Sequence, residues 1–292
     1  MKKNQKPTVA IMYDFDGTLS PGNMQEYTFI PEIGSEPKKF WDESNGLAKK
    51  ENMDSVQAYM YLMVKKAEDS EKTSTREDLR KCGEKIKFFP GVLAIENCPN
   101  WFQRINKIGE EIGLNIEHYI ISSGLQEIIE GTPIANEFSK IYASSFKYNK
   151  YKKPVWAARA VNYTTKTQYI FRINKGTKDE QDDKGVNQFV PDRDRAVPFS
   201  QMIYVGDGTT DVPCMSLVKR NGGKSIAVYP PKTKNARGKV ISNIGAERFN
   251  FLLPADYSQG KDLEKVLTAI LEEINARLNV QKLEIKFGGN PS

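Results

Sequence analysis

Apolar and polar positions follow two regimes along this 292-residue chain. In one, short continuous apolar runs stop abruptly at polar loops. Val9-Ala10-Ile11-Met12-Tyr13 stops at Asp14, His118-Tyr119-Ile120-Ile121 at Ser122, and Met202-Ile203-Tyr204-Val205 at Gly206; Ser225-Ile226-Ala227-Val228 is a fourth such run. Runs of this length, rich in β-branched and aromatic residues, predict buried strands. In the other regime, apolar residues recur at helical spacing. Met53, Val56, Tyr59, Met60, Met63 and Val64 predict one helix, and Leu263, Val266, Leu267, Ile270, Leu271, Ile274 and Leu278 a C-terminal one. Val92 to Ile112 predicts one or two helices broken near Pro99, with Gly113 at the end. Leu125, Ile128 and Ile129 open another helix, and the tail after Phe287 is expected to be disordered.

Strands alternating with helices predict an α/β fold with a doubly wound, Rossmann-like parallel sheet. Residues 21–89 break that rhythm. They carry few β-branched runs, twelve basic and thirteen acidic residues, and a helical pattern. The expected organisation is therefore an α/β core of residues 1–20 and 90–292, with residues 21–89 as an inserted helical cap hinged at Pro21-Gly22 and Pro90-Gly91. In an open α/β sheet, ligands bind outside the carboxyl ends of the strands, so the polar loops that follow the apolar runs should meet at one site.

Composition narrows the chemistry. At 39% hydrophobic residues the chain suits a soluble globular protein. No apolar run approaches the roughly 20 residues of a membrane span, and the short apolar stretch after Met1-Lys2-Lys3 makes a poor signal peptide, so a cytoplasmic location is expected. Three widely spaced cysteines, Cys82, Cys98 and Cys214, argue against a disulfide framework or a zinc site. The only histidine, His118, lies inside an apolar run and is expected to be a packed strand residue, which leaves a Ser-His-Asp mechanism without its base. Charge is uneven within a net of +6. Lys140 to Lys178 holds ten Lys and Arg and no acid, and Val212 to Ala246 holds seven and none. Such stretches are a solvated surface, an attractor of anionic substrates, or a nucleic-acid contact.

Two acidic clusters stand at predicted strand ends. In Asp14-Phe15-Asp16-Gly17-Thr18, a turn at Gly17 lets both carboxylates approach one pocket. One can attack phosphorus, while the other protonates the leaving oxygen and later activates water. Gly206-Asp207-Gly208-Thr209-Thr210-Asp211 follows a second strand, and its hard oxygen ligands suit magnesium between a carboxylate nucleophile and a dianionic phosphate. Ser122-Ser123-Gly124 offers a hydroxyl and free backbone amides for phosphate. Lys166, following Thr164-Thr165, opens a short helix that Gly176 would close, and Lys175 ends it. Either lysine could neutralise phosphate, and the helix dipole favours Lys166.

These motifs, taken in order, resemble the four motifs of the haloacid dehalogenase superfamily, most of whose members are phosphatases, and the pattern covers roughly residues 7 to 230. The resemblance implies that Asp14 is the nucleophile and Asp16 the general acid/base. It implies Mg2+ held by Asp14, the backbone carbonyl of Asp16, and Asp207, with Asp211 ligating it or orienting its waters. Ser122 and Lys166 would hold the phosphoryl group, with Thr18, Ser123 and Gly124 as further phosphate contacts. The segment between the first two motifs resembles the cap of the phosphoserine phosphatase-like branch. The stretch from Lys175 to Gln201 is longer than in that branch and reads as a surface insertion.

The expected activity is Mg-dependent hydrolysis of a small phosphorylated metabolite. Transfer of the same aspartyl-phosphate to a hydroxyl acceptor, as in a phosphotransferase or mutase, is one alternative. Nucleic-acid binding through residues 140–178, with Tyr142, Phe146, Tyr148, Tyr151 and Trp156 as stacking groups, is a less favoured one. Oligomeric state and substrate identity have no signature in the sequence.

Overall fold

The computed structural model describes residues 6–69 and 75–288. Seven strands form one sheet: β1 (Thr8–Tyr13), β2 (Asn115–Leu125), β3 (Lys140–Tyr148), β4 (Pro154–Arg159), β5 (Met202–Gly206), β6 (Lys224–Tyr229) and β7 (Phe251–Pro254). Their order is β4-β3-β2-β1-β5-β6-β7. All neighbours run parallel except β4, which pairs antiparallel with β3 at the edge. The parallel sheet expected from the four apolar runs is therefore extended by three strands that do not stand out in the sequence. β3 and β4 come from the basic stretch, and β7 is short.

Eleven helices are defined among the described residues. The segment after β1 holds α1 (Phe29–Glu32), α2 (Pro37–Glu51), α3 (Ser55–Asp69) and α4 (Arg76–Gly83). The remainder are α5 (Trp101–Glu111), α6 (Gln126–Glu130), α7 (Lys166–Lys175), α8 (Asp183–Asn187), α9 (Val212–Arg220), α10 (Ala236–Ile244) and α11 (Asp262–Phe287). None is long and apolar enough to cross a membrane. Alternation along β1 sends Val9, Ile11 and Tyr13 into one core and Ala10 and Met12 into the other. α5 and α11 cover the first face with Trp101, Phe102, Leu267 and Leu271; α7, α9 and α10 cover the second with Ile170, Ile173, Met215 and Val240. A strand buried on both faces must be apolar throughout, which is why β1 reads as an unbroken run.

One expectation is corrected. Residues 92–100 are not helical. Asn97 takes φ 60° between the bridged residues Ile95 and Cys98, and one helix begins only at Trp101, capped by the Asn100 side chain. The left-handed turn and Pro99 exclude a longer helix. The C-terminal helix continues to Phe287, and the expected disordered tail beyond it falls mostly outside the described residues.

His118 is buried in β2. It sits against Phe102 at 5.1 Å, with Tyr13 Oη at 3.2 Å from Nδ1 and Asn106 Oδ1 at 3.1 Å from Nε2. Burial lowers its pKa to about 3, so it stays neutral. The 140–178 stretch is largely absorbed into the fold. Tyr142 and Phe146 are buried, Tyr148 donates to Glu127, and of the five aromatics only Tyr151 and Trp156 stay well exposed, at 66% and 67%. Six of its ten cations meet acids or carbonyls from elsewhere in the chain, while Lys147, Lys150, Lys152 and Lys153 stay exposed. Arg159 and Lys140 pair with Glu180, Lys178 with Glu117, and Arg172 donates to the Asp179 and Glu180 carbonyls. The long stretch before β5 is therefore more than a surface insertion. Its Glu180 pairs with Lys140 of β3 and Arg159 of β4, and its Val197 enters the core beside α7.

Candidate active site

β1 lies between β2 and β5, with Tyr13 level with Ile120 on one side and Val205 on the other. The chain leaves the sheet in opposite directions on the two sides of β1, and the carboxyl ends of these three strands open into one crevice. Asp14 follows β1 directly, its backbone N–H donating to Val205 O at 3.0 Å. Asp207 follows β5. Ser122 lies just before a register break in β2, where pairing with β3 skips from Ser122 to Leu125. The expected separation of strand and phosphate loop is thus smaller than the sequence suggests: Ser122-Ser123-Gly124 is a bulged part of β2 itself.

The loop after Asp14 is tight. Leu19 and Ser20 N–H groups donate to Phe15 O, and Gly17 N–H donates to Ser20 O at 2.7 Å. Gly17 has φ +76°, and a Cβ there would lie 2.2 Å from Asp207 Oδ2. Glycine is required twice over, for backbone sign and for the approach of the second acidic loop. Asp16 is held by Met24 N–H, which donates to its Oδ1 at 2.9 Å.

Lys166, the first residue of α7, is fully buried. Its Nζ lies 2.9 Å from Asp14 Oδ2 and 2.8 Å from Asp211 Oδ1. Lys175, at the other end of α7, instead donates to the Val186 and Gln188 carbonyls. Asp211 is also fully buried, and both its oxygens are occupied. Oδ1 accepts from Lys166 and from Tyr204 Oη at 2.8 Å, and Oδ2 accepts from the Asp207 and Gly208 N–H groups. Thr18 is buried beneath the pocket, where its hydroxyl donates to Asp207 Oδ1 at 3.4 Å. It orients a carboxylate rather than facing a phosphate as expected. Ser122 and Gly124 line the pocket and are joined by a Gly124 N–H to Ser122 Oγ bond of 3.0 Å. The Ser123 hydroxyl is buried without a hydrogen-bond partner.

Electrostatics follow from burying four acids around one lysine. Burial, then the Asp211 charge, push Asp14 from the ordinary carboxylate range up to about 6, against the opposing pull of Lys166. Burial and the Asp14 charge hold Asp16 well above its ordinary value; burial with Asp211 and Asp14 does the same to Asp207. Burial acts to lower Lys166, but Asp14 and Asp211 outweigh it and the ammonium is held above its usual range. One oxygen each from Asp14, Asp207 and Asp211 lie within 4.8 Å of one another. An all-oxygen set with excess negative charge fits a hard divalent cation such as magnesium. With Asp211 saturated, Asp14 and Asp207 are the carboxylates with oxygen to spare.

The segment between β1 and α5 roofs this crevice. Its two ends meet where Phe89 N–H donates to Leu19 O at 3.0 Å. Tyr59 of α3 donates to Ser123 O at 2.7 Å, and Gln25, Trp41 and Tyr59 line the cavity with Asp14 and Asp16. The cavity has a volume of about 370 Å³. Gln25 and Tyr204 were not singled out by sequence. Tyr204 had a faint signal, as the polar-tipped residue of an otherwise aliphatic strand leading into the second acidic loop. Gln25 had none, because it comes from the helical segment, where no spacing marks a site.

Residues 11–216 match the family of haloacid dehalogenase-like hydrolases, and the chain belongs to that family. Within it, the fold is of the phosphoserine phosphatase type. A probable phosphoserine phosphatase from Vibrio cholerae superposes with a TM-score of 0.57 at 15% identity, covering 93% of this chain and 67% of that one. A substrate-bound phosphoserine phosphatase gives 0.55 at 14% identity, covering 91% and 99%. At the sequence level, an uncharacterized protein of Borreliella burgdorferi is 29% identical over 290 residues, 91% of this chain and 96% of that protein.

Proposed function

We propose that the protein is a magnesium-dependent phosphohydrolase that cleaves a small phosphate monoester through an aspartyl-phosphate on Asp14. The observation that carries this is the placement of Asp14: a buried carboxylate at the pocket floor, 2.9 Å from the Lys166 ammonium, with Asp16 two residues on. An Asp14 oxygen bonds to phosphorus as the bond from phosphorus to the leaving oxygen breaks. Asp16 gives its proton to that oxygen, then takes a proton from the water that displaces Asp14. The two roles need opposite protonation states. Burial and the Asp14 charge favour the protonated form of Asp16, while Lys166 favours the ionised form of Asp14. Lys166 keeps one donor face toward Asp14 and is itself fixed by Asp211, so its charge is already in place for the phosphoryl oxygens. Asp14 and Asp207 would hold Mg2+, which when bound screens the nucleophile from phosphate charge. Ser122, Ser123 and Gly124 contribute phosphate contacts, and residues 21–89 act as a lid that excludes stray water.

The test is covalent trapping. The protein is mixed with Mg2+ and p-nitrophenyl phosphate, quenched in acid, digested and sequenced by mass spectrometry. A phosphoryl adduct on the peptide containing Asp14 is expected. Turnover without any adduct on that peptide would remove the mechanism.

A further inference from the structure

The roof of the pocket differs in kind from its floor. The floor supplies the only charged residues lining the cavity among those described: Asp14, Asp16 and Asp207. The roof is neutral and polar. Asn23, Gln25, Ser44, Asn45 and Ser55 line it, and Trp41 and Tyr59 give it aromatic surface. Two carboxylates from outside the cavity also bond to its lining residues. Glu26 Oε1 accepts from Asn23 Nδ2 and from Trp41 Nε1, each at 2.7 Å, and Asp54 Oδ2 accepts from Asn162 Nδ2 at 2.9 Å. A carboxylate on the leaving group would enter a chamber of carboxylates with no lysine, arginine or histidine in its wall, a cost that nothing there offsets. One roof atom also asks for a partner. Gln25 is 2% exposed, and its side-chain oxygen is buried with no hydrogen donor. Such an oxygen is costly to leave unpaired, and an alcohol hydroxyl supplies the donor it lacks.

Building on the phosphohydrolase proposal, we infer that the leaving group is a neutral, polyhydroxylated alcohol, as in a sugar or polyol phosphate, and neither an amino acid nor a carboxylic acid. Amide and hydroxyl side chains both donate and accept, which matches neighbouring hydroxyls of either polarity. Aromatic surface matches the C–H face of such a molecule. A nucleobase fits less well. The Trp41 and Tyr59 rings are 5.9 Å apart and inclined at 72°, packed edge to face against each other, so they form no parallel slot for a flat base.

The test is a panel of phosphate esters on the full-length protein with Mg2+. It comprises p-nitrophenyl phosphate as a reporter of the chemistry, then hexose, pentose and glycerol phosphates, phosphoserine, phosphoglycerate, and nucleoside monophosphates. The best polyol ester should exceed phosphoserine and phosphoglycerate in kcat/KM by about tenfold or more, and exceed the nucleotides. Preference for any amino, carboxylate or nucleoside ester would overturn the inference. Absence of p-nitrophenyl phosphate turnover would instead remove the phosphohydrolase proposal, and the inference with it. Gln25→Leu should lower kcat/KM for the polyol ester about tenfold relative to the aryl ester, chiefly through KM. Equal losses on all esters would overturn the part assigned to Gln25.

Discussion

The floor and the roof of the pocket solve opposite problems. On the floor the acids and the lysine are tied to one another. Asp211 accepts four hydrogen bonds, Lys166 bridges two carboxylates, and Thr18 is spent on Asp207. On the roof, Gln25 is buried with an acceptor unused, and the wall carries no charge. A floor preassembled from charges can stabilise a transition state without reorganising, whatever alcohol leaves. A roof of neutral groups leaves the choice of alcohol to hydrogen bonds and shape. Chemistry and selectivity should therefore fail separately, and experiments can be ranked by how deeply they cut into the floor.

The deepest cut is Asp14→Asn. It removes the nucleophile while preserving shape, and kcat should fall by roughly four orders of magnitude or more, since covalent catalysis is not replaced by positioning alone. Stopped or steady-state assay of p-nitrophenyl phosphate reads this directly, and near-normal turnover would dissolve the distinction between floor and roof.

Next comes the pair Lys166→Ala and Lys175→Ala. The first strips the counter-charge from two buried carboxylates, a loss of about 3–5 kcal/mol in stability by comparison with other broken buried pairs. Its kcat/KM, normalised to the folded fraction from a denaturation curve, should drop by about a hundredfold or more. Lys175 only ties down the Val186 and Gln188 carbonyls, so its loss should change kcat/KM by no more than a few-fold. The reverse ranking would place the phosphate-binding charge elsewhere.

The smallest effect is thermodynamic. Asp14 titrates at about 6 in the folded protein against an ordinary value of 3.8, so over that interval the folded state binds more protons than the unfolded one. Stability of the metal-free protein must therefore fall as pH rises through that window, and the upward shifts of Asp16 and Asp207 extend the fall to higher pH. Magnesium competes with those protons for Asp14 and Asp207. Saturating Mg2+ should raise Tm by roughly 5 °C near pH 7.5 and by much less near pH 5. Thermal scans at both pH values, with and without chelator, check the sign. An equal shift at both would mean that the cation binds somewhere other than the carboxylate cluster.

How much of this was legible in the linear chain depends on the residue. β1, β2, β5 and β6 could be read because strands buried on both faces carry near-continuous apolar runs, and the acidic loops that end β1 and β5 stand out against such runs. β3 and β4 could not, because Lys140 and Arg159 look alike in the chain whether solvated or paired, and only the fold brings Glu180 to them. Thr18 shows a subtler limit. The family resemblance implied a phosphate contact there, and only the fold turns it toward Asp207, 189 residues away. The choice between Lys166 and Lys175 began as an argument about helix ends; the geometry at the two ends is now distinct because α7 docks with its first residue against the ends of β1 and β5. Local chemistry, then, was set by short-range patterning: which side chains terminate a buried strand, where glycine permits a reversal, which turn of a helix is apolar. What the tertiary structure alone decided was which distant groups share a volume. Tyr59 reaching Ser123 and Asp211 holding Lys166 depend on loops closed across 64 and 45 residues. Their partners carry no mutual spacing, because burial and charge pairing act through space and leave no period in the chain.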